Sequence, residues 1–158
     1  MTFHISVQHL EESLRKFLPE SLVKSDTSGV WIKAESLVQI CNYLKNDPLQ
    51  DYKLLNSLTA VDYIEFFDVV YHLTSLTHKR MTVLKVRVYG REELIVPSVN
   101  KIWKGATLQE REVWDLLGIT FSDHPNLSRI LTWEGFKGHA LRRDYLEPPL
   151  PYTWPHGG

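Results

Sequence analysis

Glu110, Arg111 and Glu112 are consecutive, and Asp115, His124 and Arg129 follow in the same stretch. Carboxylates beside a guanidinium could act as acid and base, share a cation with a histidine, or form a charge-assisted network at a protein seam. Spacing narrows these options. Glu110 and Glu112 are two apart, so on a helix they point in different directions and form no facing carboxylate pair. Arg111 and Asp115 are four apart and can pair along the helix. Thr107-Leu108-Gln109-Glu110 has the form of a capping box, with Glu110 reaching back to the Thr107 amide. A helix is therefore predicted from about Leu108 to Leu117, with Gly118 as its stop and Val113, Leu116 and Leu117 on its buried face. A solvated first turn whose acids suit the helix dipole would explain the glutamates, but not the arginine between them.

Other chemistries find less support. His124, His139 and His156 are far apart in irregular segments, and no H-x-x-x-H or C-x-x-C pair occurs. They read as hydrogen-bonding loop histidines. No G-x-S-x-G elbow, phosphate loop or dinucleotide fingerprint is present. The one cysteine, Cys41, lies among apolar residues and reads as a small core side chain. It allows no intrachain disulfide, and a typical iron–sulfur cluster needs about four cysteines. A second charged cluster is "GHALRRDY", where Arg142, Arg143 and Asp144 sit beside Tyr145. It could be an exposed basic turn, but arginine and tyrosine are also the residues that carry binding energy at interfaces.

The elements that position these residues follow from periodicity. The chain has 158 residues, 43% of them apolar, enough for one domain with a real core. Its 18 basic and 19 acidic residues leave a net charge of −1, which disfavours a nucleic-acid partner. No signal peptide is read at the N-terminus, and no run approaches about 18 apolar residues, so a membrane is expected to be reached only through partners. Val7, Leu10, Leu14, Phe17 and Leu18 recur at helical spacing, with Ser6 as a candidate cap and Pro19 as the end. "LVK" and "VWIK" flank Asp26-Thr27-Ser28-Gly29 as a hairpin. Leu37, Ile40, Cys41 and Leu44 mark a second helix, stopped at Asn46-Asp47-Pro48. Residues 54–89 hold three β-rich runs, and in the last Thr82, Leu84, Val86 and Val88 alternate with Val83, Lys85, Arg87 and Tyr89.

The predicted order is α-β-β-α-β-β-β: an α+β, two-layer domain with a mixed, largely antiparallel sheet covered by helices. "SVNKIWKG" reads as a short helical segment before the next helix. From Ser122 regularity ends. Pro125, Pro148, Pro149, Pro151 and Pro155 break the chain, yet Trp133, Phe136, Tyr145, Tyr152 and Trp154 lie there too. Disordered tails are poor in aromatics. The expectation is a domain at 1–121 and an extended, partner-binding arm at 122–158.

"EREVWDLLGITFSDHPNLSRIL" followed by "GFKGHALRRDY" closely resembles the 30-kDa subunit family of respiratory complex I, which supplies the C subunit of bacterial NADH–quinone oxidoreductase and the J subunit of the cyanobacterial and chloroplast enzyme. "VVYHLTSLTHKRMTVLKVRV" and "VPSVNKIWKGA" resemble the same family, so the likeness spans roughly residues 59–147. Its signature falls on Glu110, Arg111, Glu112, Asp115, His124, Arg129 and Ile130, and then on Gly138, His139, Leu141, Arg142, Arg143, Asp144 and Tyr145. This chain departs from it with Ser128 for a basic residue, Ala140 for proline and Asp123 for glycine.

The resemblance implies an interface role for these residues and no catalytic, cofactor or metal residue on this chain. It implies a structural subunit of a proton-translocating quinone oxidoreductase, contacting a large 49-kDa-type subunit and a small cluster-bearing one. Quinone, iron–sulfur clusters, and NADH and FMN if NADH is the donor, belong to other subunits. The complex would lie at the cytoplasmic face of the plasma membrane, or the equivalent stromal or matrix side. An accessory subunit of a related membrane-bound hydrogenase is the alternative. A freestanding enzyme finds no supporting constellation.

Overall fold

The computed structural model describes residues 4–146. Expectations for Tyr152, Trp154 and His156, and for the prolines after Pro125, lie outside the described residues. The elements in chain order are β1 (His4–Ile5), α1 (Val7–Phe17), β2 (Leu22–Asp26), β3 (Gly29–Ile32), α2 (Leu37–Asn46), β4 (Leu54–Asp62), β5 (Phe66–Ser75), β6 (Arg80–Tyr89), β7 (Ile95–Pro97), α3 (Ala106–Leu117) and β8 (Thr120–Ser122). The expected α-β-β-α-β-β-β order and the mixed sheet are both present.

The main sheet runs β2-β3-β6-β5-β4. The β2/β3, β4/β5 and β5/β6 pairs are antiparallel hairpin neighbours. β3 pairs with β6 in parallel at Val30–Leu84 and Ile32–Val86, a crossover that α2 and the β4–β5 hairpin between them make possible. β1 joins the same edge of β6 in parallel, opposite Arg80 and Met81.

Alternation sorts the faces. Val30, Ile32, Phe67, Val69, Tyr71, Leu73, Leu84 and Val86 form the buried face. They pack with Leu10 and Leu14 of α1 and Leu37, Ile40, Cys41 and Leu44 of α2. Each valine, leucine, isoleucine and phenylalanine among them contributes roughly 1.5–3 kcal/mol on burial. Phe17 of α1 stacks on Tyr43 of α2 at 4.0 Å between ring centres, which ties the two helices together. Ser6 occupies the α1 N-cap position, but its side chain makes no capping bond.

Two local expectations are corrected. Residues 98–105 form turns, not a helix: the Ile102 and Trp103 amides both bond to the Val99 carbonyl and the coil stops there. Val99, Ile102 and Trp103 have helical spacing because one turn buries all three. The capping box is absent as well. α3 starts at Ala106 with Gly105 before it, so Thr107 already lies inside the helix. α3 lies along β4, and the Gln109 side chain takes the Leu58 amide. β7 and β8 form a separate parallel pair beside it.

Candidate functional site

α3 presents the first signature on three sides. Glu110 faces inward, with its residue 0% exposed. Its carboxylate accepts the Ser98 hydroxyl at 2.5 Å and the Val99 amide at 2.8 Å. This replaces the capping box: the acid holds the preceding turn rather than its own helix start. Burial pushes its pKa up, against the pull of those two donors. His124 lies beside it with a fully buried side chain. Its Nε2 donates to the Thr107 carbonyl at 3.0 Å and its Nδ1 accepts the Asn126 amide at 3.1 Å. That pattern needs one proton, on Nε2, so the 3.8 Å approach to Glu110 is a contact and not an ion pair. Glu112 points to solvent.

Arg111 and Asp115 do not pair along the helix. Arg111 donates from Nε to the Ser128 carbonyl at 3.0 Å and from Nη2 to the Arg129 carbonyl at 2.8 Å. Asp115, 0% exposed, accepts the amides of Ile130, Leu131 and Thr132 at 3.0, 2.8 and 2.9 Å, and the Thr132 hydroxyl. Arg129 closes the set with a 2.8 Å ion pair to Asp115. Its other nitrogen donates to the Phe136 and Gly138 carbonyls. Burial alone would raise the Asp115 pKa, but the Thr132 hydroxyl, the Thr132 and Ile130 amides and Arg129 outweigh it. The carboxyl is held far below the usual range.

The second signature seals the end of the same helix. A helix leaves its last carbonyls without internal partners. Here His139 Nδ1 donates to the Asp115 carbonyl at 2.9 Å, the Leu141 amide to Leu116 at 3.0 Å, and Arg142 Nε to Leu117 at 2.6 Å. A cation at this terminus also suits the helix dipole. Gly118 ends the helix with φ +75, and a Cβ there would come within 2.5 Å of both Arg142 and His139. Gly138 has φ +85, with the Tyr145 ring 3.0 Å from its own would-be Cβ. Tyr145 stacks on Phe136, and Trp133 meets Phe136 edge-on at 4.7 Å.

Arg143 and Asp144 meet two residues that lie outside both signatures. Asp62, buried at the end of β4, accepts the Arg143 amide at 2.9 Å, the Ile64 amide at 2.7 Å and a bidentate pair from Arg91 at 2.6 and 2.8 Å. Arg91 also forks onto Asp144. Sequence spacing carries no trace of this group, since the Asp62–Arg143 contact joins residues 81 apart.

Residues 122–146 are thus held on the chain's own α3 and β4 end. Every signature residue except Glu112 uses its side chain or backbone in this packing or turns inward. Ile130, Leu131, Trp133 and Leu141 leave large apolar surface exposed, Trp133 to 71%. Among the described residues, no group of three or more His, Cys, Asp or Glu could hold a metal ion, and no helix is long and apolar enough to cross a membrane.

The family described as "Respiratory-chain NADH dehydrogenase, 30 Kd subunit" matches residues 30–150, most of the chain and all of both signatures. The chain belongs to that family. Among its relatives in this 30-kDa subunit family, the C subunit of NADH-quinone oxidoreductase from Paramagnetospirillum magneticum is 39% identical, over 89% of this chain and 73% of that one. The corresponding NADH-quinone oxidoreductase chain of a Roseiflexus species is 40% identical, over 84% and 80%. The Candida albicans protein named "NADH dehydrogenase [ubiquinone] iron-sulfur protein 3, mitochondrial" is 36% identical, over 89% and 50%. The single cysteine of this sequence, Cys41, is a free thiol buried in the core between the helices and the sheet. A chain of the membrane-bound sulfane sulfur reductase, an archaeal respiratory membrane complex, shares the fold with a TM-score of 0.62 at 19% identity, over 84% of this chain and 79% of that one.

Proposed function

We propose that this member of the 30-kDa subunit family is a non-redox structural and assembly subunit in the hydrophilic arm of a proton-translocating quinone oxidoreductase of the complex I type. Electrons from NADH or another donor pass through flavin, iron–sulfur clusters and quinone on its partners. The chain holds the quinone-reducing module together. Its contacts are the large 49-kDa-type subunit and the small cluster-bearing one, with the 1–121 domain as platform and the 122–158 arm as grip. The membrane is reached through those partners, at the cytoplasmic face or its organellar equivalent.

One observation carries the reading beyond family membership. Arg111, Asp115 and Arg129 are spent on fixing the arm's backbone, while Ile130, Leu131, Trp133 and Leu141 stay exposed on that fixed backbone. Exposed large apolar side chains on a rigid frame suit a protein partner, and ordering them beforehand lowers the cost of association. The test is a pull-down of tagged protein from membranes in mild detergent, with mass spectrometry of the co-purifying chains. Recovery of the large and small cluster-bearing subunits is expected. Recovery with a nickel-site large subunit would move the assignment to the hydrogenase alternative, and a lone soluble monomer would end both.

A further inference from the structure

The main sheet turns one face to α1 and α2, and the opposite face gathers cations and aromatic rings. Register partners share a face: Lys24 pairs with Trp31, Trp31 with Lys85, Arg87 with Asp68 and Tyr89 with Phe66. The Trp31 indole is fixed there by its Nε1–H, which donates to Asp68 at 3.1 Å. The ammonium groups of Lys24 and Lys85 lie over that one ring, 4.0 and 4.3 Å from its centre, and their stems shield it. Arg87 lies on the Phe66 ring at 3.6 Å, and Phe66 meets Tyr89 edge-on at 5.9 Å. Tyr89 itself is 72% exposed. Where β3 leaves the sheet, a hollow of about 330 Å³ is lined by Lys24, Trp31, Lys33, Glu35, Arg87 and Tyr89.

The charge on this face is unbalanced. Arg87 is neutralised by Asp68, which it holds through two nitrogens at 2.7 and 2.8 Å. Lys24, Lys33 and Lys85 have no such partner: among the described residues, no carboxylate lies within ion-pair distance of any of them. Burial pushes the Lys85 pKa down, and Lys24 and Arg87 add to this against the pull of Asp26 and Asp68, so these cations already repel one another. The whole chain carries 18 basic and 19 acidic residues, so the excess is local. Asp26, beside Lys24 and Lys85, and Glu35, on the hollow, bound it. A nucleic acid or a lipid surface calls for a broad basic field, whereas this patch fits a few carboxylates brought by one chain. The edge strand favours an extended one. Among the described residues no strand pairs with the outer side of β2, and its Val23 is 60% exposed.

We infer that this face receives an extended acidic segment of a partner protein. Its carboxylates meet Lys24, Lys33 and Lys85, and the chain between them lies against Tyr89 and the β2 edge at Val23. The inference rests on the assembly reading for the presence of that partner in the same complex. It uses none of the exposed apolar residues of the arm, so it describes a second contact and not a restatement of the first.

The experiment compares the complex captured in mild detergent with the isolated full chain. Each is treated with an amine-acetylating reagent, and separately with a zero-length carbodiimide that joins lysines to carboxylates in contact with them. Mass spectrometry reads both. Acetylation of Lys24 and Lys33 is expected to slow about fivefold or more in the complex, the effect of one charge pair at a partly desolvated seam, relative to the exposed Lys16 and Lys79. Carbodiimide links from Lys24 or Lys33 should end on aspartates and glutamates of one continuous stretch of one partner. Lys24→Glu with Lys33→Glu should abolish those links and leave the melting temperature of the isolated chain unchanged, since both side chains are exposed. Partners that co-purify while both lysines react as fast as in the isolated chain overturn this proposal and leave the assembly reading standing. Protection that disappears with nuclease or with lipid removal, without carboxylate links, overturns it in favour of a nucleic acid or a membrane. A chain recovered alone ends both readings.

Discussion

Arg111 and Asp115 stand one turn apart on α3 and hold opposite polarities of the same loop. Arg111 donates to the carbonyls of Ser128 and Arg129, and Asp115 accepts the amides of Ile130, Leu131 and Thr132. Five consecutive backbone groups are thereby fixed by two side chains. The charged signature is a device for holding main chain, and this explains why both a cation and an acid are needed there.

Arg111→Ala should release the 128–129 end of this loop at a cost of about 2 kcal/mol, since two charge-assisted bonds are lost to partly hydrated carbonyls. Arg111 itself bonds to the Ser128 and Arg129 carbonyls and to no side chain of the α1, α2 and main-sheet core. Co-purification with partner subunits should therefore fall much further than the melting temperature of the isolated chain. Equal loss of both would sink the assembly reading for this residue.

Asp115→Asn should be harsher, about 3 kcal/mol, because Arg129 keeps its buried charge and loses its counter-ion. Limited proteolysis should then cut within residues 122–146 before the sheet is attacked. The arm should also detach in acid. In Asp62, burial is outweighed by Arg91 and the Arg143 and Ile64 amides, so its carboxyl, like that of Asp115, is held far below its ordinary value. The stability such lowered groups contribute is complete above the unfolded carboxylate range near about pH 4 and is lost as pH falls below it. Trp133 and Trp114 fluorescence, followed from neutral pH downward, should report arm release ahead of the loss of sheet circular dichroism, with a shallower slope in Asp115→Asn.

Glu110 predicts the opposite sign. Its raised pKa means that the acid is protonated more easily in the folded chain than in the unfolded one. Its contribution is full below about pH 4 and declines as pH rises through the folded value. Glu110→Gln should thus stay within about 1 kcal/mol of the parent at neutral pH and gain on it as pH increases. Glu110→Ala strands the buried Val99 amide and should cost about 2–3 kcal/mol. Urea melts of the three proteins at several pH values decide this.

Gly118 and Gly90 separate backbone strain from close packing. Both have positive φ, +75 and +91, but only Gly118 has Arg142 and His139 where a Cβ would go, while Gly90 faces open space. Gly90→Ala should cost about 1 kcal/mol from φ alone. Gly118→Ala should cost that and also dislodge the cap on α3, for about 3 kcal/mol or more. Thermal melts of both variants would show the gap, and similar losses would mean that His139 and Arg142 yield freely.

Sequence pattern was informative wherever structure is local. The helical stripe of Leu10 and Leu14 and the alternation of Leu84 and Val86 both match the buried faces. It misled where a short motif has two physical solutions. Thr107 and Glu110 have capping-box spacing, but Val99 and Ser98 compete for the carboxylate and win because they bury it. Arg111 and Asp115 have helix-pair spacing, but each finds several backbone partners in place of one side chain. β1, β7 and β8 have two or three residues, too few to show alternation. Asp62 and Arg91 were invisible for a different reason: nothing near them in sequence hints that both will meet Arg143 and Asp144. Asp123, where the family usually has glycine, takes a left-handed φ of +62. Aspartate tolerates that conformation better than most residues.

The seal on α3 also dictates an order of events during synthesis. The helix is complete once Leu117 has left the ribosome, but the groups that cover its last three carbonyls sit at His139, Leu141 and Arg142. The Asp62 contact waits longer still, for Arg143. Through that interval the nascent chain displays an uncapped helix end, and Asp62 holds Arg91 and the Ile64 amide without the Arg143 amide. The helix end is sealed only by the arm, so a chain released anywhere within residues 118–138 would have α3 without its seal. That intermediate is the one a chaperone or protease would encounter first.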